Sequence, residues 1–478
     1  MPYENEYANK SSHSDIVENP DVLAFLQECE YLREPSPEEI DRFSQRFQPL
    51  PDLNLVDLPN HIFAIDGSPY EALIDDRMPS TKVGYVKVST IHILMEEFGA
   101  LRVDDGRFVD PFRVAKLRKN KDSLLFVLPG TNMRWQGLTS VRDSFRARVD
   151  KVLLQKETRF NKEDYRSSLR STLFRLASLR PDKMGTRSDE FLKLHQCPSC
   201  GYKGEEDLGI ELIDIEEQQY CSACNKEIYP SDALRLWEEV NDYQSNISAM
   251  TRFMLAVEHM LPAHYINYLL TANFPLDQLA SISFFVDGPL AIFGTCAWLS
   301  RPLMKYYHQI NEKLRKEGLP NITILGLQKT GQLADYFSLV SKYIPENTVY
   351  PVDDEYRYQY IIASRDPSKV GFGDETYYGQ DFLFKTASDR RFVVSIPYPF
   401  SGKGQREEGR FHKLKTEIAR YPNLHRTLAL IKRFETDLYT NAVIPIALAH
   451  RYTAISASPG GKVLDILSRN SFPKSNRY

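Results

Sequence analysis

Ile62-Phe63-Ala64-Ile65-Asp66-Gly67-Ser68 and, far downstream, Ser283-Phe284-Phe285-Val286-Asp287-Gly288-Pro289 share one pattern. Each is an apolar, partly β-branched run closed by an aspartate and a glycine. Each therefore reads as a strand that carries one carboxylate to its end, with the glycine turning the backbone. An unbroken apolar run suits a strand covered on both faces. An acid at the end of such a strand needs a partner or a cation, because burying an unpaired charge is costly. A lone Asp-Gly is an ordinary turn signal. Two of them after matching buried runs raise a second reading, a shared metal ion.

Around the first run, Val83 to Ile93 reads as a long strand that pairs antiparallel with it. Ser36-Pro37-Glu38-Glu39 has the spacing of a helix capping box with proline at the first helical position. Residues 244–271 form an apolar-periodic helix, followed by the strand that ends at Asp287. Further strands are expected at Ile322 to Gly326 and Phe392 to Ile396, with helices between about 411 and 457. The fold class is α/β, a mixed sheet flanked by helices. Geometry nominates a third carboxylate. Glu258 lies about 13 residues before the end of its helix, or ~20 Å at ~1.5 Å per residue. The strand from Ser281 to Asp287 runs back ~20 Å at ~3.3 Å per residue. An antiparallel helix–strand pair would return Asp287 to the level of Glu258, while Glu239 is a competing acid. Three hard oxygen ligands suit Mg²⁺ or Mn²⁺, which serve phosphodiester cleavage.

The chain has 478 residues and a net charge of −4, so any nucleic-acid surface must be local. From Arg134 to Arg187 there are 14 Lys/Arg against six Asp/Glu, whereas Cys197 to Val240 has three basic and 11 acidic residues. Such opposite neighbouring blocks point to different partners or to each other. Arg142, Arg146 and Arg148, with Phe145, Phe160 and Tyr165 interleaved in the basic block, are candidates to guide a DNA strand; a solvated helix face is the alternative. Lys329, after the strand at 322–326, either meets a phosphate or caps a strand. His450, in the apolar helical run Ile444 to Arg451, is either a core histidine or a catalyst.

Four of six cysteines form Cys197-Pro198-Ser199-Cys200 and Cys221-Ser222-Ala223-Cys224. The spacing suits four thiolates around one tetrahedral Zn²⁺ in a ribbon, and four protein ligands leave no open position, so this zinc is structural. Cys29 and Cys296 read as buried small hydrophobes. The N-terminus lacks the basic start and apolar run of a signal peptide, and no segment approaches a membrane span, so a soluble cytoplasmic protein is expected. No Walker phosphate loop is present: Ser401-Gly402-Lys403-Gly404 and Gly460-Gly461-Lys462-Val463 lack the spacing and the Ser/Thr after lysine.

The order of these motifs resembles the NurA nuclease family: Asp66-Gly67-Ser68, then Val83-Gly84-Tyr85, the Arg252 to Glu258 helix, Val286-Asp287-Gly288, the Gly326 to Lys329 strand end, and Ala447-Leu448-Ala449-His450. The resemblance implies a ribonuclease H-like fold, a toroidal homodimer, Mn²⁺- or Mg²⁺-dependent 5′ to 3′ DNA cleavage, and partnership with the hexameric HerA ATPase. Asp66, Glu258 and Asp287 would match the metal-binding acids and His450 the active-site histidine. A Tyr-Pro pair before that histidine is replaced by Asn441-Ala442-Val443-Ile444-Pro445, with Tyr439 nearby. The chain then divides into an N-terminal helical extension (1–54), two parts of a nuclease domain (55–133 and 241–478), a basic helical insertion (134–190) and a zinc ribbon (191–240). A non-catalytic zinc-ribbon adaptor that docks on the motor is the rival expectation.

Overall fold

The computed structural model describes residues 13–29, 35–99, 102–103, 108–109, 121–135, 137–362, 373–403, 408–436, 442–456 and 460–471. Nine strands make one mixed sheet: β1 (Gln48–Pro49), β2 (His61–Leu73), β3 (Lys82–Leu94), β4 (Lys121–Pro129), β5 (Ile282–Asp287), β6 (Thr323–Gln328), β7 (Thr348–Pro351), β8 (Gly379–Lys385) and β9 (Arg391–Pro397). Their spatial order is β1-β7-β8-β9-β6-β5-β2-β3-β4. β2, β3 and β4 form an antiparallel meander. β5 lies parallel to β2 on one side and to β6 on the other. β6, β9, β8, β7 and β1 then continue antiparallel.

Seven helices frame the sites on this sheet: α1 (Val141–Leu154), α2 (Leu169–Ser178), α3 (Ile247–Thr271), α4 (Ser300–Lys316), α5 (Leu424–Phe434), α6 (Ile444–Thr453) and α7 (Gly460–Ser471). Side chains alternate across a strand, and the two faces of the sheet have separate cores. Ile65, Phe284 and Val286 pack with α1 to α4. Ile62, Ala64 and Phe285 pack with α5 and α6. The helix at Pro37–Ser44 carries the expected capping box between Ser36 and Glu39.

One expectation changes: β2 does not end at Asp66-Gly67 but runs on to Leu73, paired with β3 throughout. The basic block contains helices α1 and α2, and its arginines answer acids of the block beside it and of their own. Arg146 pairs with Asp232 at 2.7 Å, Arg170 with Asp150 and Asp214 at 3.3 and 3.0 Å, and Arg159 with Glu216 at 3.2 Å. Among the described residues no helix is long and apolar enough to cross a membrane.

Candidate metal centre

The ladder between β5 and β2 ends at Val286↔Ile65. The next residue on each strand is Asp287 and Asp66, so the parallel register sets the two carboxylates side by side. Alternation directs both toward the face covered by α6. From that helix His450 Nδ1 lies 3.1 Å from Asp66 Oδ2, and the Thr453 hydroxyl donates to the same oxygen at 2.5 Å. Thr453 follows His450 by three residues, the spacing that puts two side chains on one helix face. The His450 side chain is 60% exposed while that of Asp66 is 6% exposed. His450 is therefore no core histidine, although its helix is apolar. One ligand atom each from Asp66, Asp287 and His450 falls within 4.8 Å of the others, a set that could hold a metal ion.

Glu258 reaches the cluster from the opposite side. Helix α3 packs on the other face of the sheet, where Gly67 leaves a gap. A Cβ on Gly67 would stand 2.6 Å from Glu258 Oε1 and 2.6 Å from Met254 Cγ. Gly67 is an extended strand residue chosen for close approach, not for a turn. Glu258 is only 4% exposed. Burial first, then the charges of Asp66 and Asp287, hold its carboxyl well above the usual carboxylate range. Burial likewise raises Asp287 to about 6, with Asp66 adding to the effect and Lys329 opposing it. Lys329 Nζ sits 2.6 Å from Asp287 Oδ2. Glu258 and Asp287 are thus both raised in part by neighbouring negative charge, the condition a bound cation relieves. The competing Glu239 is elsewhere, bonded to Ser248 and Arg252.

No family model matches this chain, and no curated protein matches it. The functional reading accordingly rests on the geometry of this centre and of the cysteine cluster.

Cys197, Cys200, Cys221 and Cys224 lie within 4.8 Å of one another. The Cys197–Cys224 and Cys200–Cys221 sulfurs are each 3.8 Å apart. A tetrahedral ion with Zn–S distances of ~2.3 Å demands S···S edges of ~3.8 Å. Each Cys-x-x-Cys loop turns the same way: Gly201 and Asn225 adopt φ of +75° and +53°, and their N–H groups donate to the carbonyls of Cys197 and Cys221. The pairs sit at the ends of two short hairpins, Phe191–Leu194 with Ile210–Ile213 and Gln219–Tyr220 with Glu227–Ile228. Cys296 is buried, as expected; Cys29 is exposed, against expectation, at the end of a helix that has no buried residue.

The three arginines expected to guide DNA are committed to the protein itself. Arg146 is 4% exposed and bonds Asp232 through two nitrogens. Arg142 lies 4.4 Å over the Trp237 ring. Arg148 donates to the Val127 carbonyl on the outer strand β4 at 2.9 Å. Arg146 sets its charge against Asp232 of the acidic segment, which spacing alone could not decide. Tyr439 and Asn441 lie outside the described residues.

Proposed function

We propose that this protein is a divalent-metal-dependent deoxyribonuclease built on a ribonuclease H-like sheet. The observation that carries the reading is the convergence of Asp66, Asp287 and His450 at adjacent positions of two parallel strands and one helix, with Glu258 behind them. The sheet supports it too: an antiparallel three-strand meander is extended by two strands parallel to its first member. Two carboxylates and an imidazole fit Mn²⁺ well and Mg²⁺ through their oxygens. When bound, such an ion polarises a phosphoryl oxygen and lowers the pKa of a coordinated water.

The chain's own groups would divide the remaining work. Thr453 fixes the orientation of Asp66 by its hydrogen bond. Asp66 and Asp287 hold the ion, and the exposed His450 ring is accessible to the scissile phosphate or to the leaving oxygen. Lys329 offsets the charge of Asp287 and stands where it can meet a phosphate oxygen once that carboxylate is engaged. Burial and the charges of Asp66 and Asp287 disfavour the ionised form of Glu258, and a bound cation would offset the part that those two charges contribute. We further propose that the four cysteines bind a structural Zn²⁺, since a closed set of four thiolates leaves no position for substrate. Elemental analysis should then return one zinc per chain. The missing phosphate-binding loop favours an external motor. A HerA-type hexameric ATPase and a homodimeric nuclease are the partners suggested by the motif order.

The test is cleavage of end-labelled single- and double-stranded DNA in Mn²⁺ by wild type and Asp66→Ala. Cleavage by wild type and its loss in the variant are expected; no wild-type cleavage, with or without the motor, would sink the reading. A second reading, a non-catalytic adaptor, draws on the Lys329–Asp287 pair, which already supplies a positive charge to the centre. It requires that wild type bind no Mn²⁺.

A further inference from the structure

A cavity of about 370 Å³ opens at the end of the sheet away from the metal centre. Ile322 and Ile324 line it where β6 begins, and Ile396 where β9 ends. Asp287 is level with Leu327 near the other end of β6, four residues or ~13 Å beyond Thr323. Helix α4 supplies one wall: His308, Asn311 and Arg315 line the cavity at the i, i+3, i+7 spacing of a single helix face. Residues 397–400 and 419–423 supply the other. The volume falls at the lower end of the ~300–1,000 Å³ of ligand pockets, so it suits one small molecule.

Charge narrows the class of that molecule. Arg315 and Arg420 line the cavity, and no aspartate or glutamate does. Glu312 and Glu417 stand three residues before the two arginines, and each takes one guanidinium nitrogen at 2.6 Å. Arg315 Nη1 and both terminal nitrogens of Arg420 form no hydrogen bond with the described residues. Two guanidinium forks on the two walls, with no acid lining the space, fit a phosphate.

Shape and hydrogen bonding add two further demands. Phe400 lines the cavity half-buried, Phe411 meets it edge-on with centroids 5.7 Å apart, and the Arg420 guanidinium lies 5.9 Å over its ring. That is a flat apolar face with a cation beside it, which suits a flat ring. Asn321 also lines the cavity, and its Oδ1 is buried with no donor. The neighbouring amides are already engaged: Asn423 Nδ2 donates to the Asn321 and Ile322 carbonyls at 3.0 and 2.8 Å, and Asn311 Oδ1 accepts the Ile322 N–H at 3.0 Å. A buried acceptor left unpaired is costly, and an N–H group of a ligand would satisfy it.

We propose that this cavity binds a nucleoside monophosphate, with the phosphate on Arg315 and Arg420, the base against Phe400 and an amino group of the base toward Asn321. A phosphate, a flat ring and an N–H donor in one small molecule meet all three demands. The space suits a single unit, whereas grooves that track a strand hold ~4–16 nucleotides. The cavity shares no residue with the metal centre, so the assignment does not rest on nuclease activity.

The experiment is titration calorimetry of AMP into the full-length, zinc-loaded chain with no other divalent cation added, beside adenosine, inorganic phosphate and a single-stranded oligonucleotide. AMP should bind with a Kd no weaker than about 1 mM. Adenosine and phosphate should each bind at least about tenfold more weakly, since each meets only part of the site. Arg315→Gln and Arg420→Gln should each weaken AMP about tenfold or more, while Asp66→Asn should bind it as wild type does. Arg315 and Arg420 are exposed, so the melting temperatures of their variants should stay close to wild type. No AMP binding by wild type, undiminished binding in both arginine variants, or loss of binding in Asp66→Asn would each overturn the proposal. Tighter binding of the oligonucleotide, abolished by the same arginine substitutions, would overturn it in favour of a strand-binding groove.

Discussion

Asp66-Gly67 and Asp287-Gly288 supply the two carboxylates of one cluster, yet their glycines meet different demands. Gly288 has φ +94°, and no described atom comes within 4 Å of where its Cβ would stand, so it is there for its backbone freedom alone. It lets the chain leave β5 and cross over β6, where Gly326 clears the way: a Cβ on Gly326 would meet the Gly288 carbonyl oxygen at 2.5 Å. Gly67 stays extended in the middle of β2 and gives up its side chain so that Glu258 can approach from the opposite face. The same dipeptide thus serves a turn in one place and a close approach in the other.

The largest expected effect removes a carboxylate and leaves the glycines alone. Asp66→Asn should cut DNA cleavage by about 10³-fold or more, equivalent to ~4 kcal/mol at the transition state, with little loss of melting temperature. Equal activity in the variant would separate the cluster from catalysis. Next, Gly67→Ala should cost roughly 1–3 kcal/mol in urea unfolding, because Glu258 and Met254 must move aside, and should also weaken Mn²⁺ binding. Gly288→Ala should cost about 1 kcal/mol, the strain of a left-handed backbone in open space. Equal costs at the two positions would break the comparison.

The pH dependence is smaller and tests the acids together. Asp287 is raised to about 6 in the folded, metal-free protein, chiefly by burial. Its contribution to stability is therefore fully present below the unfolded value near ~3.9 and is lost as pH rises through about 6. Mn²⁺ must displace that proton, so the rise in melting temperature produced by Mn²⁺ should grow between about pH 5 and 7. Glu258→Gln should leave metal-free stability unchanged or higher, since burial disfavours the charged carboxyl that the amide replaces, while Mn²⁺ binding falls. A drop in metal-free stability would show that Glu258 is ionised and paired.

Much of this is legible in the residues, for identifiable reasons. The apolar runs before Asp66 and Asp287 announce buried neighbouring strands because a parallel strand in mid-sheet needs that composition. The length argument brings Glu258 to the right level of the sheet, but a one-dimensional reach does not say from which face a helix arrives. Thr453 escapes a reading of the sequence, although its position one turn after His450 carries the signal. The continuation of β2 past Gly67 is hidden because close approach and turning both select glycine. Arg146 misleads because a local charge surplus does not reveal its partner, and Asp232 lies far along the chain. Cysteine spacing is the most readable feature, since four sulfurs in two short loops have few ways to meet.

The most direct test of the central claim, that Asp66 and Asp287 share one cation, is titration calorimetry of Mn²⁺ into wild type, Asp66→Asn and Asp287→Asn at about pH 7.5, above the raised value of Asp287. The zinc content is followed in the same samples. One Mn²⁺ site per chain in wild type, lost in both variants while zinc is retained, is the predicted result. Undiminished Mn²⁺ binding in either variant would contradict it.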